Sequence, residues 1–353
     1  MRKNFLVFFL VLLIPIMGAF AAGGKEGGTA PGSDSASGGK SYHFILVNNM
    51  ATWSHFFPDY EGAEIACKEI SAMTGDNVTF EVVGPAENDL LKVVDIMEAA
   101  IAKKPDGFMA ICWDPNVMMA PINKAIAAGI PVVTLDADSP QSNRLSYIGT
   151  DWYSLGVLLG EAMMKEIGGK GKVALLGLVG ADNMETAFNG FRDVAKNYPN
   201  VKIVSVEHDG GQETESARIT TALIQAHPDI AGIAGFDAGS GPGITTAIKE
   251  AGKAGKIKVV GNDVNTSQLQ ALQDGSLQFA LGQKRKFFGY WGVMTLYLHA
   301  RSGLSFTSDD EKAGIASIPP RIVTGFIGVT PQNADLVMEE FQKYVNIKFR
   351  WGK

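Results

Sequence analysis

The stretch Pro105-Asp-Gly-Phe-Met-Ala-Ile-Cys-Trp-Asp114 decides the fold, because the chain repeats its pattern at Pro228-Asp-Ile-Ala-Gly-Ile-Ala-Gly-Phe-Asp237. The offset is constant, 228 − 105 = 123 and 237 − 114 = 123. Beyond each Asp come a Pro-containing turn and an Ala-rich helix, 122–129 and 244–252. A second apolar strand then closes on Asp, in Pro131-Val-Val-Thr-Leu-Asp136 and in Ile257-Lys-Val-Val-Gly-Asn-Asp263. Two copies of one βαβ pattern predict two similar α/β lobes. Carboxylates at the C-terminal ends of parallel strands stand where open α/β sheets bind ligands.

Working outward, strands 43–47, 78–83, 107–111 and 132–135 alternate with helices 60–73, 90–103 and 117–128. The strands are apolar throughout, as in parallel sheets covered on both faces. A strand at 145–149 leads into Thr150-Asp151, after which the same order starts again. Late elements exceed what two repeats need: a strand at 278–282, an aromatic helix at 288–300 and a strand at 322–328. The chain is therefore expected to recross between lobes at about Gln283 and again near Val323, giving a three-crossing hinge. The expected division is 42–150 with 284–322 for the N-terminal lobe and 151–283 with 323–353 for the C-terminal lobe.

A length of 353 residues suits two such lobes, and a net charge of −6 lacks the basic excess of a nucleic-acid binder. Arg2-Lys3, the apolar run from Phe5 to Met17 and Gly18-Ala-Phe-Ala-Ala22 read as a cleaved secretion signal over 1–22. Residues 23–41, rich in Gly, Ser, Ala and Pro, read as a flexible leader. No Cys stands near the cleavage region to carry a lipid. Cys67 and Cys112 fall in apolar patterns and read as buried small hydrophobes. The segment implies a protein free in the periplasm or secreted.

Enzyme chemistry finds little support. The five histidines, among them His43, His208, His227 and His299, show no metal-ligand spacing, and no GxSxG elbow is present. Gly239-Ser-Gly-Pro-Gly243 lacks the Lys-Ser/Thr of a phosphate loop and reads as a tight strand-to-helix turn. No metal or cofactor is expected. What gathers at strand ends is a mixture of planar hydrogen-bonding groups and aromatic rings, the combination that sugar hydroxyls and sugar C–H faces require. The candidates are Asn48, Asn49, Trp53, His55 and Phe56 after the first strand; Trp113 and Asp114; Asp136 and Asp138; Asn183; Phe236 and Asp237; Asp263; and Gln283. Each Asp has a helix-capping role as its alternative, and each ring a packing role. The basic run Lys284-Arg285-Lys286 reads as a solvated face or docking patch, with a contact to an acidic sugar as its alternative.

From Tyr42 to about Gly328 the chain resembles the ribose-type family of periplasmic sugar-binding proteins, secreted relatives of the lactose-repressor class. The phrases that carry the resemblance, in family order, are "AIAAGIPVVTLDAD", "YIGTD", "GFRDV", "AHPDIAGIAGFDAGSGPGITTAIKEAG", "VVGNDVN" and "LGQ". It implies two lobes closing on one small ligand and delivery to an ATP-driven (ABC) permease, in some members also to a chemoreceptor. It implies that Asn48 or Asn49 is the ligand Asn and that His55 and Phe56 are the stacking pair. Asp136 and Asp263 are then the two lobes' carboxylates, Phe236 or Asp237 the site of a ligand amide or carboxylate, and Gln283 the hinge amide. Where close relatives of the ribose binder carry two Arg and an aromatic, this chain has Ala137, Ala187 and Gly211. An Arg fork is not reproduced by Ala, so ribose itself is disfavoured. The expected protein is a monomeric, non-enzymatic sugar binder of an ABC importer that closes at a hinge. A sensor for a signalling molecule and an enzyme on the same fold stand as alternatives.

Overall fold

Alternate residues of the first strand enter two different cores, which makes the first lobe three layers deep. In β1 (Ser41–Val47), Phe44 and Leu46 pack in one cluster with Phe56, Tyr60 and Phe288. Ile45 and Val47 pack in another with Met97, Phe108 and Ile122. The computed structural model describes residues 39–302, 318–345 and 348–352. The expected secretion signal and nearly all of the expected leader lie outside the described residues. Ser41, assigned to that leader, opens β1 instead, and the Lys40 amide donates to Asp76 Oδ1 at 2.9 Å.

After β1 come a 3₁₀ turn (Ser54–Phe56), α1 (Phe57–Thr74), β2 (Asn77–Val83), α2 (Leu90–Ile101), β3 (Gly107–Ala110), α3 (Pro115–Ala127), β4 (Val132–Leu135) and β5 (Ser146–Gly149). The second series is α4 (Trp152–Glu166), β6 (Gly171–Gly177), α5 (Asp182–Ala195), β7 (Val201–His208), α6 (Glu213–Ala226), β8 (Ile230–Gly235), α7 (Ser240–Glu250) and β9 (Lys258–Asn262). It is followed by α8 (Thr266–Gln273), β10 (Phe279–Gln283), α9 (Lys286–Ser302), β11 (Arg321–Val323), β12 (Phe326–Val329) and α10 (Ala334–Val345).

The sheets order as β11-β5-β4-β3-β1-β2 and β12-β10-β9-β8-β6-β7. The two central runs, β2-β1-β3-β4-β5 and β7-β6-β8-β9-β10, are the same doubly wound order, and the quoted repeat occupies the equivalent strands β3 and β8. All pairs are parallel except β12, which runs antiparallel to β10. The two lobes are thus built alike, and in each the sheet reverses order between its first and third strands, where α/β folds open a crevice.

The late strand expected over 322–328 is two strands, one in each sheet. β11 pairs with β5 and β12 with β10, so Thr324 and Gly325 carry a crossing and Val323 stays with the first sheet. A larger departure is at the C-terminus, which the sequence reading kept in the second lobe. α10 packs on α8 of that lobe, yet Phe349 and Trp351 return to the first. Trp351 rings lie 5.2 Å from Phe57 and 5.3 Å from Tyr60, its carbonyl accepts from the Val82 amide at 2.8 Å, and its Nε1 donates to Glu64. In a short cationic tail, Trp351 is buried and Phe349 half-buried where the first lobe offers rings, a tertiary fit that local pattern does not encode. Among the described residues, successive segments therefore change lobe four times. Trp351→Ala should lower stability by about 3 kcal/mol in urea unfolding, the loss expected for truncating a buried large aromatic. An unchanged midpoint would show the tail to be unattached.

Candidate functional site

β4 and β9 are each followed directly by an Asp with a left-handed backbone, φ 62° at Asp136 and φ 68° at Asp263. Non-glycine residues rarely hold this conformation, and Asp is among the few that tolerate it. At Asp136 it is fixed by the main-chain carbonyl, which accepts from Tyr147 Oη at 2.8 Å and Trp152 Nε1 at 3.3 Å. At Asp263 the side chain is held, its Oδ1 accepting from Gln283 Nε2 at 2.7 Å. Gln283 Oε1 in turn accepts from Thr150 Oγ1 at 2.5 Å, so one amide links the first two crossings to the second-lobe carboxylate.

Both Asp side chains line a cleft of about 1000 Å³ between the lobes. Trp53, His55, Phe56, Trp113, Asn183, Asp237 and Gln283 line it as well. The aromatic wall is a packed group: Trp53 stacks on His55 with centroids 4.7 Å apart, and Phe56 lies 6.1 Å from Trp113. Half-buried His55, desolvated and near the Arg285 charge, titrates well below the ordinary imidazole range and is neutral.

Four expected contacts do not reach the cleft wall. Asn48 is consumed by the fold, donating to Tyr60 Oη at 2.6 Å and accepting from the Met50 amide. Asn49 is fully buried, with both amide atoms lacking a partner among the described residues. Asp138 is held by Arg144 through Nε and Nη2 and by Thr134 Oγ1, so its carboxylate is a structural anchor. Phe236 packs edge-on against Phe188 at 4.8 Å inside the second core. Asp114 and Asp237 reach the cleft but cap helices: Asp114 Oδ1 accepts from the Asn116 and Val117 amides, and Asp237 Oδ1 from the Gly239 and Ser240 amides. Burial, reinforced by neighbouring Asp209, raises the Asp237 carboxyl well above its usual range. The Gly239–Gly243 turn does open a helix, α7.

The residue that sequence reasoning misplaced is Arg285. It is buried, not solvated, and its guanidinium donates to Asp59 Oδ2 at 2.8 Å and Asp136 Oδ1 at 3.3 Å. Two glycines make this geometry possible. A Cβ on Gly62 would stand 1.8 Å from the Lys286 carbonyl oxygen and one on Gly289 1.9 Å from that of Asp59, so α1 and α9 meet backbone to backbone. The basic run splits accordingly: Lys286 pairs with Glu61 and with Glu340 of α10, while Lys284 lines a smaller cavity behind the cleft. A legible signal was Asp59 itself, an acid inside the apolar run Phe56-Phe57-Pro58-Asp59-Tyr60 that requires a buried counter-charge.

Two similar lobes, with an aromatic wall from the first and one carboxylate from each facing a shared cleft, form a two-lobed binding architecture. Residues 46–304 match the family described as periplasmic binding protein domain, and the chain belongs to that family. It is a binding protein and not an enzyme. It is 25% identical over 275 residues to the xylose/arabinose-binding protein of Sulfolobus acidocaldarius, covering 73% of this chain and 66% of that relative's length. Among solved structures it resembles a sugar-binding protein of a sugar ABC transporter from Bacillus halodurans, with TM-score 0.76 and 28% identity over 84% of this chain and 99% of that one. It also resembles an ABC transporter solute-binding protein from Agrobacterium vitis bound with α-D-tagatopyranose, with TM-score 0.74 and 27% identity over 85% and 98% of the two chains.

Burial pushes the Asp59 carboxyl up to about 7 despite its Arg285 partner. Its folded pKa thus exceeds its unfolded value near 4, so the folded state binds the proton more tightly and this group's contribution falls as pH rises from about 4 to 7. Thermal melts of wild type and Asp59→Asn should therefore diverge with pH. The wild type should lose ground by up to about 1 kcal/mol per pH unit across that window. Parallel melts at every pH would contradict a raised Asp59.

Proposed function

We propose that this chain is the substrate-binding protein of an ABC importer and that it captures an uncharged sugar between its lobes. The observation that carries the proposal is the pair Asp136 and Asp263, one at the equivalent strand end of each lobe, lining one cleft. Each has one carboxylate oxygen engaged by the protein, with Arg285 for Asp136 and Gln283 for Asp263, which orients the group toward hydroxyl donors. The Trp53, Phe56 and Trp113 rings supply apolar surface for sugar C–H faces. A ligand touching both carboxylates does so fully only when the lobes are closed, so its binding energy favours the closed state.

The charge of the cleft argues against an anionic sugar. Glu87, Asp114, Asp182 and Glu185 stand on its walls in addition to the central carboxyls, against the single guanidinium of Arg285, which is already paired. The names of the similar proteins, a pentose binder and a tagatose complex among them, support a neutral monosaccharide. Delivery to an inner-membrane permease, action as a monomer and residence in the periplasm after removal of the leading segment complete the proposal.

A thermal-shift screen against neutral pentoses, hexoses and polyols and their acidic or phosphorylated forms tests it. Saturation at about a hundred times Kd should add about 2.7 kcal/mol of stability. Hits should be confined to the neutral set; hits confined to anions would overturn the charge argument. Asp136→Ala and Asp263→Ala should each weaken the hit by at least ~1.5 kcal/mol, roughly tenfold in Kd by calorimetry. Burial raises Asp263 to about 6, and protonation replaces a charged acceptor by a weaker neutral one. Affinity should accordingly fall below pH 6 and level off at about a tenfold loss, and Asp263→Asn should flatten that profile.

A further inference from the structure

The floor of the cleft already contains a cation. The Arg285 guanidinium lies over the rings of Phe56 and Phe288, 4.9 and 5.3 Å from their centroids, and pairs with Asp59 and Asp136. It lines both the cleft and the cavity of about 250 Å³ behind it, together with Asp263 and Gln283, so it forms part of the wall between them. A fully buried Asp59 at its back and the Gly62 and Gly289 approach of α1 to α9 leave the guanidinium little freedom to withdraw.

Without that guanidinium, Asp136 and Asp263 would face the ligand as two uncompensated carboxylates. A protonated amine would then be the best occupant, because a charge-assisted hydrogen bond is roughly twice as strong as a neutral one. With Arg285 present, a ligand ammonium would approach a fixed like charge next to Asp136, whereas a hydroxyl would still find the carboxylate oxygens as acceptors. We infer that Arg285 is a specificity-determining residue: by supplying the cation for Asp59 and Asp136 it shifts the preference of the cleft toward uncharged hydroxyl donors and away from amino sugars of the same shape. The inference rests on the sugar reading of the cleft for its ligand, but not for its charge.

Calorimetric titrations at pH 7 compare D-xylose, D-glucose and D-galactose with D-glucosamine and D-galactosamine, in wild type, Arg285→Gln and Arg285→Lys. The ratio of amino-sugar Kd to neutral-sugar Kd should fall by about tenfold or more in Arg285→Gln, and should stay near the wild-type value in Arg285→Lys, which keeps the charge. A parallel loss for both ligand classes, with the ratio unchanged, would make Arg285 a structural residue only and overturn the inference. A second readout needs no ligand. In ¹³C carboxyl titrations, Asp263, which the Arg285 charge holds down, should titrate at higher pH in Arg285→Gln than in wild type, and an unchanged Asp263 would overturn the inference even if sugars bind. A shifted Asp263 in a protein that binds none of these sugars would leave the charge assignment standing and sink the sugar reading instead.

Discussion

A buried guanidinium has to be answered by buried carboxylates, and in this protein that requirement joins the hinge to the binding cleft. Arg285 follows directly on the crossing at Gln283, and its two partners come from α1 and from the end of β4. Leaving one partner of such a pair uncompensated costs about 3 to 5 kcal/mol, so the three segments are held in one arrangement. The two rings in contact with the guanidinium belong to the aromatic wall and to the first-lobe core. Core packing, chain crossing and ligand floor are therefore parts of one assembly.

The duplicated βαβ unit supplies the other half of the site. Because each lobe repeats the same strand order, each delivers an Asp at the same place, just beyond the fourth strand, and in the same left-handed conformation. Strain of this kind persists where surrounding contacts over-determine it. Tyr147 and Trp152 do so for Asp136, and the Gln283–Thr150 link supports Asp263. Trp152 opens α4 immediately after the first crossing and Gln283 ends β10 immediately before the second, so the Asp136 backbone and the Asp263 carboxylate are each fixed by a residue that adjoins a crossing.

The fold was readable because its signals are local and repeated. The 123-residue offset, the apolar strands and the strand-end Asp pair all survive in the sequence as spacing. Asp136, Asp263, Gln283 and the aromatics Trp53, His55, Phe56 and Trp113 could be named from it, since strand ends in this architecture face the crevice. What failed depended on side-chain direction or on distant partners. Phe236 and Asp237 are adjacent, yet one enters the core and the other the cleft. Asp138 is claimed by Arg144, a pairing the sequence does not announce. Arg285 sits between two lysines that face α10 and the rear cavity, so the run reads as one solvated patch. The returning tail at Phe349 and Trp351 is likewise a long-range fit.

The most direct test of the central claim is a crystal structure of the chain with the neutral sugar that stabilises it most. One sugar molecule should lie in the cleft with hydroxyls within hydrogen-bond distance of both the Asp136 and Asp263 carboxylates, the lobes closed over it and Arg285 still on Asp59. A ligand held by one lobe alone, or seated in the cavity behind Arg285 with the two carboxylates untouched, would contradict the account.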